Sequence, residues 1–143
     1  MILVSACLLG ENCKYNGGNN RNETVLKYLE GKEYIAICPE SFGGLKIPRL
    51  PAEIIGSKVF LKDGTDVTDK FLKGAEKTLE LAKKHGAKEA VLKESSPSCG
   101  CNFIYDGSFS GVKIKGKGIT AAILVKEGIS VKSEKNLENN AQT

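Results

Sequence analysis

What most constrains this chain is a recurring order of short apolar runs and amphipathic stretches, in which the apolar runs give out at a cysteine or a proline. Residues 2–6 form the first run, and residues 10–20 behind it are too rich in glycine and asparagine to continue regular structure. Residues 34–37 form the second. It stops at Cys38-Pro39-Glu40, where proline removes the backbone donor that a central strand needs. The third, 90–93, runs into Glu94-Ser95-Ser96-Pro97-Ser98-Cys99, and 129–131 is the last. Helical signals fall between these runs. Asn22 or Thr24 can cap a helix through Leu29 that Gly31 ends. From 68 to 85, Phe71, Leu72, Ala75, Leu79 and Ala82 recur at helical spacing, with Lys83 and Lys84 at the negative end of the dipole and Gly86 as the stop. Residues 120–126 read as a third helix, capped by a hydroxyl at its start. Residues 41–51 read as loop, 52–62 as one or two short strands, and 103–118 as a long loop or small hairpin.

This alternation predicts an α/β fold: a single-domain, open, largely parallel sheet with helices on both faces, Rossmann-like. Of the 143 residues, 41% are hydrophobic, enough for one core and too few for two. The domain is expected over 1–134, with 135–143 as a polar, frayed C-terminal tail.

Five cysteines stand against one histidine, so a Ser-His-Asp triad or a site of several imidazoles would rest on His85 alone. His85 sits where the long helix ends and suits the dipole there. The apolar N-terminus lacks a basic segment before it and reads as a buried strand, not a signal peptide. A cytoplasmic location follows as the expectation, and in that reducing setting an odd set of five cysteines is poorly explained by disulfides. No run of 18 apolar residues predicts a membrane span. A net charge of +4 with 6% aromatics makes neither a basic stripe nor a stacking platform, so nucleic acid is not an expected partner.

In open parallel sheets, ligands bind beyond the carboxyl ends of the strands. Cys7 ends the first expected strand, Cys38 the second, and Cys99 lies shortly past the third, so three thiols should meet at one sheet edge. The plain alternative is that each is a small buried hydrophobe. Structural zinc favours Cys-x-x-Cys pairs, and the nearest pairs here are Cys99-x-Cys101 and Cys7-x5-Cys13. Spacing alone favours an iron-sulfur cluster over zinc only modestly. Glu40 follows Cys38 closely and can serve as a general base, or equally as a helix cap. Hydroxyls of Ser95, Ser96 and Ser98 can orient water or a substrate carbonyl, or simply form the turn at Pro97. Arg49 and Lys93 border the cysteine-bearing loops and are the cations placed to meet a polar substrate. The glycines of 107–118 fit neither a P-loop nor a dinucleotide pattern.

Longer motifs then coincide. Ser5-Ala6-Cys7-Leu8-Leu9-Gly10, Cys13-x-Tyr15-x-Gly17, Cys38-Pro39-Glu40 with Gly43-Gly44-Leu45, Pro48-Arg49-x-Pro51-Ala52-Glu53 and Lys93-x-Ser95-Ser96-Pro97-Ser98-Cys99-Gly100 resemble the single-domain bacterial family that contains thiouracil desulfidase. The likeness extends through Ile104-Tyr105-Asp106-Gly107 and Gly118-x-Thr120-Ala121-Ala122, nearly the whole chain. The resemblance implies a [4Fe-4S] cluster held by three cysteines, matching Cys7, Cys38 and Cys99, with the fourth iron open to the sulfur of a thiolated nucleobase such as 2-thiouracil. Glu40 and Ser96 match positions that activate water and orient substrate, and sulfur leaves as hydrosulfide in a hydrolytic, non-redox reaction. Cys13 belongs to the pattern without an assigned ligand role, and Cys101 stands where a small non-thiol residue is expected. Two other readings compete: a non-catalytic metal-binding module, and a thiol-based sulfur carrier exchanging sulfur between Cys99 and Cys101. Oligomeric state is left open.

Overall fold

A computed structural model describes residues 1–141. Four strands form one parallel sheet in the order β2-β1-β5-β8, namely β1 (Ile2–Ser5), β2 (Tyr34–Ile37), β5 (Glu89–Leu92) and β8 (Ser130–Ser133). Registers such as Val4 opposite Ala36 and Val91 bring the strand ends level. Two antiparallel hairpins, β3 (Ala52–Ile55) with β4 (Lys58–Leu61) and β6 (Phe103–Tyr105) with β7 (Lys113–Lys115), are set apart from it.

Alternation along β1 decides which helices cover which face. Leu3 points to the side packed by α3 (Thr68–His85) and α4 (Ile119–Lys126), where Ala82, Ala121 and Leu124 join Ala90 and Leu92. Ile2 and Val4 point to the other side, against Val25 and Leu29 of α1 (Glu23–Leu29) and Leu137 of α5 (Glu134–Ala141). Each fully buried aliphatic side chain of this kind contributes roughly 1.5–3 kcal/mol. The expected α/β architecture with both faces covered is therefore the one observed.

Asn22 caps α1, its side chain accepting the Val25 N–H at 3.0 Å. The long helix α3 has the expected bounds, and Gly86 closes it at φ 65°. Leu72 departs from the expected face: it is exposed, whereas Phe71, Ala75 and Ala82 are buried. Three local expectations are corrected. Residues 39–42, read as the edge of a loop, wind into a four-residue helix α2 (Pro39–Phe42), with proline in its first turn. Helix α4 has no hydroxyl cap: Gly118 holds that position, and Thr120 Oγ1 is buried without a hydrogen-bond partner among the described residues. The C-terminal segment is helical through Ala141, and Leu137 buries itself against the sheet.

Helix α2 lies directly on α3. A Cβ added at Gly74 would stand 1.9 Å from the Pro39 carbonyl oxygen, and one at Gly43 would stand 1.9 Å from that of Lys70. The two glycines therefore let backbone meet backbone, which fixes where the Cys38-Pro39-Glu40 segment sits.

Candidate active site

The carboxyl ends of β1, β2 and β5 open onto a cavity of about 430 Å³. Its wall includes Cys7, Cys13, Cys38 and Cys99 together with Glu40, Arg49, Lys93, Ser96 and Ser98. The expected convergence of Cys7, Cys38 and Cys99 on one sheet edge is thus present, and Glu40, Arg49, Lys93, Ser95, Ser96 and Ser98 line the same space. All five cysteines are free thiols.

Cys7 lies in a 3₁₀ turn that continues β1, and its Sγ accepts a hydrogen bond from Asn20 Nδ2 at 3.4 Å. Cys38 precedes α2, with its Sγ hydrogen-bonded to Ser41 Oγ at 3.3 Å. The neighbouring Cys13 thiol is the largest influence lowering Cys7 and, with help from Ser41 and Arg49, lowering Cys38 to about 5. Cys38 and Cys7 in turn push Cys13 up. Cys99 is different: burial pushes it up to about 12, against an opposing hydrogen bond from Ser5. Cys101 is buried, contacts the Cys99 carbonyl at 3.5 Å, does not line the cavity, and is raised by burial and by the nearby Glu94. Its chemistry is that of a core thiol.

The Ser96 hydroxyl oxygen accepts the backbone N–H groups of Ser98 and Cys99, both at 3.1 Å. It also lies 3.1 Å from Ser98 Oγ, which in turn donates to Glu40 Oε2 at 3.2 Å. With the Ser98 proton directed at Glu40, the Ser96 proton faces Ser98 Oγ, giving a chain from Ser96 through Ser98 to the carboxylate. Burial raises Glu40, and Arg49, 3.6 Å away through Nη2, opposes that. Arg49 also ties the loop carrying Cys13 to this side, donating from Nη2 to the Cys13 carbonyl at 3.2 Å and from its backbone to Tyr15 O at 2.6 Å. Lys93 also lines the cavity, and its charge works to lower Cys7.

Ser98, weighed in the sequence only as one of three hydroxyls, and Glu94, given no role there, both shape this site. Ser98 is the hydroxyl that touches Glu40. Glu94, only 6% exposed, gathers the loop that follows β5. Its Oε1 accepts backbone N–H groups from Ser95 (3.2 Å), Cys101 (2.9 Å), Asn102 (2.9 Å) and Phe103 (3.1 Å), and Oε2 accepts the Asn102 amide at 2.7 Å. Against the effect of burial, these donors hold Glu94 down at about 2. Ser95 is forced to φ 68° by the tight path of the same loop. A conspicuous Glu beside the expected strand end was the only signal available.

Among the described residues, no group of three or more His, Cys, Asp and Glu side chains is arranged to hold a metal ion. The donor chemistry itself still suits a thiolate-bound group: four thiols border one cavity, Cys7 and Cys38 shifted towards the thiolate, with Arg49 and Lys93 as adjacent cations.

A parallel α/β sheet that delivers thiols, a buried carboxylate and paired hydroxyls to one cavity defines a thiol-lined α/β enzyme. More narrowly, the chain belongs to the 2-thiouracil desulfurase family, whose model matches residues 2–136. It is therefore an enzyme acting on a carbon–sulfur bond. The uncharacterized protein YbbK of Bacillus subtilis (strain 168) is 46% identical over 149 residues, covering 97% of this chain and 99% of that protein. The solved structure of a [4Fe-4S]-dependent thiouracil desulfidase, TudS, matches with a TM-score of 0.91 at 46% identity, over 99% of this chain and 95% of that one.

Proposed function

We propose that this chain is an iron-sulfur-dependent desulfidase that hydrolyses a thiolated nucleobase such as 2-thiouracil, without net redox change, to the oxo base and hydrosulfide. The observation that carries this is the meeting of Cys7, Cys38 and Cys99 with Glu40 and Ser96 around one cavity. Cys7, Cys38 and Cys99, one from each of three strand ends, would hold a [4Fe-4S] cluster and leave one iron without a protein thiolate. When bound, that cluster supplies a Lewis-acidic iron for the substrate's sulfur.

The remaining work falls to side chains. Glu40, held by Arg49 and Ser98, takes a proton from the water that adds to the carbon bearing sulfur. Ser96, fixed by two backbone N–H groups, orients the base by turning its hydroxyl proton from Ser98 Oγ to the substrate. Lys93 and Arg49 form the substrate-facing cations, Lys93 directly and Arg49 through its hold on Glu40. The carbon–sulfur bond then breaks, so that base and water become oxo base and hydrogen sulfide with no electron donor consumed. A small molecule is the partner on this reading, in the cytoplasm, where free thiols persist. Anaerobic incubation of the cluster-loaded protein with 2-thiouracil should yield uracil and sulfide in equal amounts, and an intact cluster with neither product would refute the proposal.

A further inference from the structure

The C-terminal helix reaches the site through the Glu134 carboxylate. Glu134, in the first turn of α5 and 5% exposed at its side chain, has Oε2 3.1 Å from Lys93 Nζ, while its Oε1 accepts the Glu94 backbone N–H at 2.7 Å. Lys93 Nζ donates a second bond to the Glu94 carbonyl at 2.8 Å. An ammonium has three protons, so these two acceptors leave one proton unused. Lys93 also lines that cavity, with its backbone N–H anchored on Ser5 Oγ at 3.0 Å.

The placement of Glu134 is itself fixed. Strand β8 pairs with β5 so that Ser133 lies opposite Leu92. Ser133 Oγ accepts the N–H groups of Lys135 and Asn136, the Asn136 side chain accepts the Ser133 N–H at 2.9 Å, and Leu137 is buried one turn later. An ion pair between a half-buried ammonium and a buried carboxylate adds little net stability to a fold. Its use here is geometric.

We propose that Glu134 is a positioning residue that aims the Lys93 ammonium into the active-site cavity, making α5 part of the substrate site. The proposal rests on the desulfidase reading above. If it holds, loss of Glu134 weakens substrate binding only by way of Lys93. The test is a double-mutant cycle of Glu134→Gln and Lys93→Met in anaerobically purified, cluster-loaded protein, reading KM, kcat, iron per chain and thermal midpoint. Glu134→Gln is expected to raise KM for 2-thiouracil about tenfold with kcat changed less than about twofold and iron content kept. In the Lys93→Met background it should change KM by less than about twofold. An equal rise in both backgrounds, or a lowered thermal midpoint with KM unchanged, overturns the proposal. Should Glu134→Gln fail to fold, Glu134→Asp, which keeps the charge but retracts it, enters the same cycle under the same criteria. Absence of turnover in the wild-type protein would instead condemn the desulfidase reading, so the two failures are told apart.

Discussion

Replacing Glu94 by glutamine removes one charge and little volume, yet it should loosen the whole loop that bears Ser96, Ser98 and Cys99. The carboxylate accepts four backbone N–H groups and one side-chain amide, which bring it from 4.5 to about 2. A displacement of that size corresponds to roughly 3 kcal/mol of native-state stability at neutral pH. Because the folded value is the lower one, the contribution is fully present above about pH 4.5 and is lost as pH falls towards about 2. Glutamine keeps one acceptor oxygen but turns an NH₂ towards the Asn102 amide, so the charge-assisted bonds are not replaced. Urea unfolding of both proteins from pH 7 to pH 2 checks this, taking the difference between them at each pH so that acid effects common to both cancel. The expected difference is about 3 kcal/mol at pH 7, narrowing below about pH 4.5. A difference under about 0.5 kcal/mol at pH 7, or one that does not change with pH, would show that these hydrogen bonds do not hold the loop.

Gly74→Ala should force Pro39 and with it Cys38 and Glu40 away from α3, lowering stability by roughly 3 kcal/mol and reducing bound iron, both measurable on the purified protein. Ser98→Ala cuts the hydroxyl chain to Glu40, and steady-state kinetics should show kcat reduced about 10- to 100-fold with KM little changed. Cys7→Ser, Cys38→Ser and Cys99→Ser should each lose iron by elemental analysis while Cys13→Ser keeps it; the reverse pattern for Cys13 and Cys99 would overturn the ligand set. Leu137→Ala should cost roughly 3 kcal/mol in chemical denaturation, since its side chain packs α5 on the sheet.

Regular periodicity was the most legible part of the sequence. Phe71, Ala75 and Ala82 mark one stripe over about three turns of α3, and Gly86 has the conformational freedom that its end requires. The placing of Cys7, Cys38 and Cys99 at strand ends followed from simple counting. Helix α5 was not legible, because one leucine in a polar segment makes no period, and it is sheet contact at Leu137 that stabilises the helix. Thr120 looked like a cap, but the neighbouring 97–98 carbonyls accept the first N–H groups of α4 and leave its hydroxyl aside. Glu94 and Gly74 escaped for a shared reason. A glutamate after a strand reads as solvated, and a glycine inside a helix reads as a cost of about 1 kcal/mol, until the chain segment that each accommodates is in place. Cys13 belongs here too: the Arg49 bonds to the Cys13 and Tyr15 carbonyls show which way its loop folds.

The parallel sheet also sets an order of manufacture. Parallel neighbours need long crossovers, so the edge where the thiols meet exists only when residues near 7, 38 and 99 have all been synthesised and paired. During translation the growing chain holds Cys7, Cys13 and Cys38 for a long interval without the segment that completes the cavity. On the function proposed above, a metal group seated there would be a late addition, and no excised peptide spanning the first half of the chain should retain it.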